Sequence, residues 1–383
     1  MKHDESNPRW WGNGMAVEEV MTPVVRFDQE AVTAFVAEAL VTGGIAPDDA
    51  RRAAGLLLLA DLRGVESHGV ARLSGYVRRL RAGLIDPDAK VTVVHELAST
   101  LALDANNALG LLAGQEAMER TIAKAEASGI CLTTVRRSNH FGIAGSYAMM
   151  AARRGLGGMA MTNASRLVVP MFAKVPMLGT NPMAFAVPTG NGRPLVLDMS
   201  TSTVAWGKIE IARRAGLPIP AGWAVDGDGR PTTDPAQVKG LTGLGGDRVM
   251  SGHKGFGLGM MVEVLCSVLA GSTWSYDIGR STELSYGAGI GHMFLAWRID
   301  AFRDPAEFAA QMDAIIDEVH RAPVADGALS DHVLVPGDPE ADAEAENARL
   351  GIPIRPEVLA ELAELAQEVG IVPLEDRARH AAA

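Results

Sequence analysis

Cysteine is nearly absent from this chain: two residues in 383, Cys131 and Cys266, lie far apart without CxxC or Cys/His spacing. That argues against a disulfide framework and a structural zinc site, and free buried thiols in a reducing cytoplasm are expected. Positive charge is also scarce, with 35 Lys and Arg against 46 Asp and Glu for a net charge of -11. Nucleic acid and anionic membranes would want a basic face, so neither is expected as a partner and any anion site must be local. No hydrophobic run reaches the length of a membrane span; the longest, roughly 255 to 271, contains Glu263 and several glycines. The opening stretch MKHDESNPRWWGNGMAVEEV lacks an apolar core followed by a small-residue cleavage site, so a secretion signal is not expected and residues 1–26 read as a disordered extension. A GxGxxG fingerprint between strand and helix is missing too. Gly243, Gly245 and Gly246 in TGLGGDR have the wrong spacing, so a Rossmann fold is not supported.

What is present is an ordinary globular composition, 48% hydrophobic, on a chain long enough for two or more structural units. Three helices are expected between 28 and 83: DQEAVTAFVAEALVTGG closing on Gly43 and Gly44, PDDARRAAGLLLLADLRG with Pro47 in its first turn, and HGVARLSGYVRRLRAG ending at Gly83. From about 90 the pattern changes to short β-prone runs (VTVVHEL, TLALDA, ICLTTVR, GGMAMTN, MAFAVPTG, PLVLDMS) alternating with helical segments at 111–128 and 142–154. After about 304 helices return. The fold class read from this is α/β (α+β), with a mixed-sheet body over 91–303 and a helical unit built from 27–90 together with 304–383.

The segment DLRGVESHGVARL carries the strongest chemistry. A helix beginning near Ser67, a favoured N-cap residue, would project His68 and Arg72 from one face. A guanidinium can grip a carboxylate bidentately while an adjacent imidazole moves a proton at the neighbouring carbon, which suits a 2-oxo or 2-hydroxy acid. Further signals are individually weaker. SGHKGFGLGMM places His253 and Lys254 at the mouth of a glycine-rich helix able to hold a phosphate. Asn139 and His140 end a β-prone run before a helix, LGTNP sets Gly179, Thr180 and Asn181 in a turn, and Asp198 closes a strand before a hydroxyl-rich bend and Lys208. Each has an ordinary structural reading as well: a solvated helix face, a tightly packed glycine helix, a core histidine, a turn, a surface ion pair.

Taken in order, SHGVAR, SNHFG, TNAS, LGTNP, DMSTS with AWGK, IPAGWAVDGDGRPTTDP, GHKGFGL and VPGDPE resemble the malate/L-lactate dehydrogenase family of nicotinamide enzymes over roughly residues 27 to 370. The family includes malate, lactate, sulfolactate and ureidoglycolate dehydrogenases and reductases of cyclic imino acids. The resemblance implies a non-Rossmann cofactor domain, NAD or NADP as cofactor, no metal, and a homodimer. It places Ser67 and His68 in the proton relay and Arg72 on the substrate carboxylate, with Asn139, His140 and Thr180 lining substrate and nicotinamide. Along the dinucleotide it sets His140, Phe141, Gly142, Ile143 and Ala144, then Gly179 and Asn181, then Asp198, Met199 and Ser200, then His253 and Lys254, and finally Pro336 and Gly337. Only the VPGDP loop has no independent signal in the residues themselves.

Two departures bear on substrate. Ala164 stands where relatives commonly have Ser, with Ser165 beside it, and Arg166 where Pro is frequent. At 208 the imino-acid reductases tend to carry Asp, whereas this chain has Lys208, as the hydroxy-acid dehydrogenases do. The implied reaction is hydride transfer between NAD(P) and C2 of a small 2-hydroxy or 2-oxo acid, with His68 as base and Lys208 or His140 steadying charge on the oxygen. The alternatives are reduction of a cyclic imino acid (Δ1-piperideine-2-carboxylate or Δ1-pyrroline-2-carboxylate), a ureidoglycolate or sulfolactate dehydrogenase, and a non-catalytic dinucleotide sensor.

Overall fold

The computed structural model describes residues 24–279, 287–328 and 330–377. All but the last three residues of the expected N-terminal extension lie outside them.

Both chain ends build one helical core. Strand β1 (Val25–Phe27) leads into α1 (Gln29–Thr42), which starts where the Asp28 carboxylate accepts the backbone N–H groups of Glu30 at 2.9 Å and Ala31 at 3.2 Å. Helix α2 (Pro47–Leu62) begins on its proline and buries Ala50, Ala53, Ala54, Leu57 and Leu58, a stripe at helical spacing. With α3 (Leu73–Arg81) these helices enclose an apolar cluster completed from the far end of the sequence by Ile352, Ile354, Leu359, Leu362 and Leu365.

The body is a seven-stranded mixed sheet. Strands β2 (Thr92–Glu96), β3 (Thr100–Asp104), β4 (Ile130–Ser138), β5 (Leu156–Thr162), β6 (Met183–Val187) and β7 (Leu195–Met199) fall where the alternating runs predict them. Helices α4 (Gly110–Ser128) and α5 (Gly145–Ala152) cover the sheet through Ala113, Ala117, Met118, Ile122, Tyr147 and Ala148. Beyond β7, α6 (Trp206–Ala215) packs with a small antiparallel sheet of β8 (Ala224–Val225), β9 (Pro231–Thr232) and β10 (Gly240–Leu241). Helix α7 (Gly252–Glu263) then widens into a π turn at Val264–Val268. The sequence pattern gave no strand at β11 (Ile290–Arg298), yet β11 is the centre of the sheet, in the order β2-β3-β4-β11-β5-β6-β7. It pairs antiparallel with both β4 and β5, while β3 and β4 are parallel. A central strand covered on both faces loses the polar alternation by which edge strands are recognised.

The last helices divide. Helix α8 (Pro305–His320) stays on the sheet side, its Asp313 carboxylate accepting the N–H of Gly190 at 3.0 Å in the β6–β7 turn. Helix α9 (Asp338–Leu350) docks on α2 through Arg63–Glu344 at 2.7 Å and through the Asn347 amide donating to the Leu62 carbonyl at 3.0 Å. After it, β12 (Ile352–Ile354) pairs with β1, Val25 opposite Ile354 and Phe27 opposite Ile352, and α10 (Pro356–Val369) closes the core. Of the segment after 304, α9 and α10 thus pack on the first helices, while α8 is tied to the β6–β7 turn. No helix among the described residues is long and apolar enough to cross a membrane.

Candidate active site

The helix expected from Ser67 does not form there. Residues Glu66–His68 and Val70–Arg72 are two short 3-10 turns broken at Gly69 (φ -91°, ψ -141°), and regular α-helix begins only at Leu73. The cause is a buried carboxylate beneath the break. Asp61 accepts the Val70 N–H at 2.8 Å and presses so closely on Gly69 that a Cβ there would fall 2.0 Å from Oδ1. A continuous helix would collide with it. Ser67 is therefore no N-cap; its hydroxyl is hydrogen-bonded to His68 Nδ1 at 2.9 Å, while Arg72 Nε donates to the Ser67 carbonyl at 2.6 Å. Glu66 ties the same turn to Arg355 at the start of α10, at 2.6 Å. Burial pushes Asp61 well above the usual carboxylate range, partly offset by the Val70 N–H. Burial, reinforced by the Arg72 charge, lowers His68 to about 4, so its imidazole is neutral at pH 7.

The second half of the site comes from the loop between β4 and α5. The His140 ring stacks on His68, centroids 5.5 Å apart and planes 27° apart, and the Tyr76 hydroxyl of α3 lies 2.6 Å from His140 Nδ1. Burial, followed by the charges of His68, Arg72 and His292, holds His140 well below its ordinary value. Asn139 is buried and its amide donates to the Ala108 carbonyl at 2.9 Å and to Asn107 Oδ1 at 3.1 Å, which fixes the loop against the start of α4. Phe141 lies flat on the buried His292, centroids 4.5 Å apart.

Two turns flank this centre. Gly179–Thr180–Asn181 is organised from below by Glu263, a buried carboxylate at the end of α7. It accepts the Asn181 amide at 2.8 Å, the Asn163 amide at 3.1 Å, the Ser275 N–H at 2.9 Å and the Ser275 hydroxyl. Asn181 itself sits at φ +38°. The Thr180 carbonyl receives Thr201 N–H at 2.9 Å, which joins this turn to the bend after Asp198, Met199 and Ser200. Asp198 caps α5 by accepting the Gly145 N–H at 2.7 Å and is pushed up to about 6 by burial. Pro336 and Gly337 lean on the same strand, the Pro336 carbonyl accepting Val196 N–H at 3.2 Å, so Gly142–Ala144, Asp198 and Pro336–Gly337 form one edge. Lys208 stands exposed on the first turn of α6. His253 and Lys254 open α7, with His253 Nδ1 at 3.0 Å from Arg248. That helix reaches the common bend through the 243–246 turn, where Leu244 N–H donates to Thr201 O at 2.9 Å.

A dinucleotide fits this edge. Gly142 has φ +80°, α5 points its N-terminus there, and the Ser146 hydroxyl just inside it is buried without a hydrogen-bond partner, as is Asn139 Oδ1. No group of His, Cys, Asp and Glu able to hold a metal ion is found among the described residues. Sequence reasoning passed over Asp61, Tyr76 and Glu263. Asp61 and Glu263 look like stray acids in apolar helices, which is itself the available signal, because an unpaired carboxylate in a core needs a local reason.

The family model described as malate/L-lactate dehydrogenase matches residues 27–363. A malate dehydrogenase from Pyrococcus abyssi is 39% identical over 92% of this chain and 97% of its own length. A (2R)-3-sulfolactate dehydrogenase (NADP(+)) from Chromohalobacter salexigens is 39% identical over 73% of this chain and 81% of its own. The solved malate dehydrogenase of Pyrococcus horikoshii superposes with a TM-score of 0.84 at 35% identity, covering 91% of this chain and 97% of that one. With this match over most of its length and the fold it shares with the solved malate dehydrogenase, the chain belongs to the malate/L-lactate dehydrogenase family.

Proposed function

We propose that this protein is a cytoplasmic, homodimeric oxidoreductase that moves a hydride between NAD or NADP and C2 of a small 2-hydroxy or 2-oxo acid. The observation that carries the reading is the turn 66–72, where one neutral imidazole and one guanidinium are held side by side on a short rigid loop against His140. The bound dinucleotide supplies the hydride acceptor in oxidation and the donor in reduction. Gly142 to Ala144, Ser146, Asp198 to Ser200 and Pro336–Gly337 would hold it.

Arg72 binds the substrate carboxylate through its free Nη groups, its Nε being committed to the Ser67 carbonyl. Fixing that carboxylate orients C2 and supplies part of the proximity advantage. His68 takes the hydroxyl proton in oxidation and returns it in reduction, with Ser67 setting its ring orientation. An arriving carboxylate compensates the Arg72 charge and so removes one of the two causes that lower His68, raising its basicity when substrate is present. Of the two groups expected to steady charge on the oxygen, the stack on His68 supports His140 over the exposed Lys208. Two buried free thiols suit a reducing compartment. Exposed Met260, Met261, Val264, Val268 and Leu269 give one helix face apolar area that a second copy would cover.

The test is absorbance of reduced nicotinamide while purified protein meets NADH and NADPH with oxaloacetate, pyruvate, 3-sulfopyruvate, oxoglutarate and cyclic imino acids. Turnover of an oxo acid is expected, with His68→Ala lowering kcat at nearly unchanged cofactor binding and Arg72→Ala mainly raising KM. Turnover of an imine alone, or equal small effects of both variants, would overturn it.

A further inference from the structure

The hydrogen bonds around His140 decide which of its ring nitrogens carries the proton. Nδ1 faces two groups: the Tyr76 hydroxyl at 2.6 Å and the backbone N–H of Gly142 at 3.4 Å. A backbone N–H can only donate. Nδ1 therefore presents its lone pair, since a proton there would be set against the Gly142 hydrogen, and the Tyr76 hydroxyl must donate to the same lone pair. We infer that Tyr76 is a positioning residue that locks His140 as the neutral Nε2–H tautomer, so that His140 offers the substrate oxygen a hydrogen bond and leaves proton transfer to His68 alone.

The groups around the ring agree with this. His68 stacks on one side, Arg72 stands beyond it, and the buried His292 lies behind Phe141, so a positive charge on His140 would meet cationic or desolvated neighbours. Tyr76 is held as a phenol, its ionisation pushed well above the ordinary phenol range by burial among the helical-core residues. A neutral imidazole with one fixed N–H is the donor required where oxygen gains negative charge as hydride departs, and being pre-set it needs no reorganisation. The proton bookkeeping then closes with one carrier: the hydroxyl proton goes to His68 Nε2 in oxidation and comes back from it in reduction, while the Nε2–H bond of His140 is never broken. The arrangement also explains why α3 follows the 66–72 turn without a linker, because the residue four beyond Arg72 is the one that sets the partner ring.

This inference deepens the reading of the site given above, and its tautomeric part can be tested without any substrate. Long-range 1H–15N correlation spectra of protein labelled at the histidine rings, with His140 assigned through the His140→Gln variant, report the protonation of each nitrogen. The expected result is protonated Nε2 and unprotonated Nδ1, unchanged between pH 5.5 and 8.5. In Tyr76→Phe the Nδ1–H form should become populated, with the thermal midpoint near wild type. For the oxo acid turned over, kcat should fall about 10- to 100-fold with KM changing less than threefold. Protonated Nδ1 in the wild type, or a Tyr76→Phe protein with both the wild-type spectrum and the wild-type kcat, would overturn the inference. A correct tautomer in a protein that turns over no 2-hydroxy or 2-oxo acid would instead refute the proposed reaction and leave the Tyr76–His140 lock standing.

Discussion

Gly110, the first residue of α4, is where the helix comes against the loop that carries Asn139 and His140. A Cβ at this position would lie 2.1 Å from the Asn139 carbonyl oxygen and 2.4 Å from that of His140. Ordinary carbon–oxygen contact is about 3.3 Å, so Gly110→Ala requires backbone to separate by roughly 1 Å. Backbone on both sides must give, because α4 is packed into the sheet through Ala113, Ala117 and Met118, and the loop is bound by the Asn139 amide to Ala108 and Asn107. Overpacking of this kind costs about 1–3 kcal/mol, offset by up to about 1 kcal/mol from the better helix propensity of alanine. The net loss of stability is therefore modest, about 1–2 kcal/mol. The effect on rate should be larger. A displacement of about 1 Å at a reacting group costs on the order of 100-fold, and the loop that moves carries His140. Urea unfolding and oxo acid reduction measured on the same preparation give both numbers. Gly55→Ala, in the middle of α2 with nothing within 4 Å of the new methyl group, is the control; it should gain about 0.5–1 kcal/mol and keep wild-type activity. Gly110→Ala with kcat within twofold of wild type would refute the reasoning that α4 holds this loop in place.

Gly69→Ala places a methyl group 2.0–2.2 Å from three atoms of the Asp61 carboxylate, breaking the bond to Val70; a loss of about 2–4 kcal/mol in urea unfolding and a raised KM for the acid are expected, and unchanged stability would contradict the support assigned to Asp61. The buried imidazole of His292 is lowered to about 3 by burial, against about 6.5 when unfolded, so the unfolded chain binds more protons between those values and this contribution is complete above pH 6.5 and lost as pH falls toward 3. Asp61 and Asp198, raised by burial, act in the opposite direction, so the check is a difference: stability should fall less steeply from pH 7 to 4.5 in His292→Gln than in wild type, and parallel slopes would exclude the effect. With His68 at about 4, kcat/KM for oxidation should hold its plateau down to about pH 5 before the acidic limb, and Arg72→Ala should move that limb upward by removing a charge that lowers His68; a limb near 6.5 in both proteins would show that His68 is not the base.

How much of this was legible in the sequence depends on whether the cause is local. The six outer strands, the capped helix α1 and the proline start of α2 follow from period, caps and φ preference, which neighbouring residues set. Strand β11 was missed because burial on both faces removes the alternation that marks a strand, and nothing in an amphipathic helix such as α8 names the surface it covers. At the candidate site, spacing suggests His68 and Arg72 on one helix face, whereas two 3-10 turns over Asp61 bring the same side chains to one place. The residues left unread, Asp61, Tyr76 and Glu263, act through partners that are 9, 64 and 82 positions away, at Val70, His140 and Asn181. Their roles are set by tertiary contact, and the buried polar group is the trace this leaves in a sequence. An acid or a phenol inside an apolar helical stripe must be satisfied somewhere, and each of these three is satisfied by the backbone or side chain of a turn that carries the candidate chemistry.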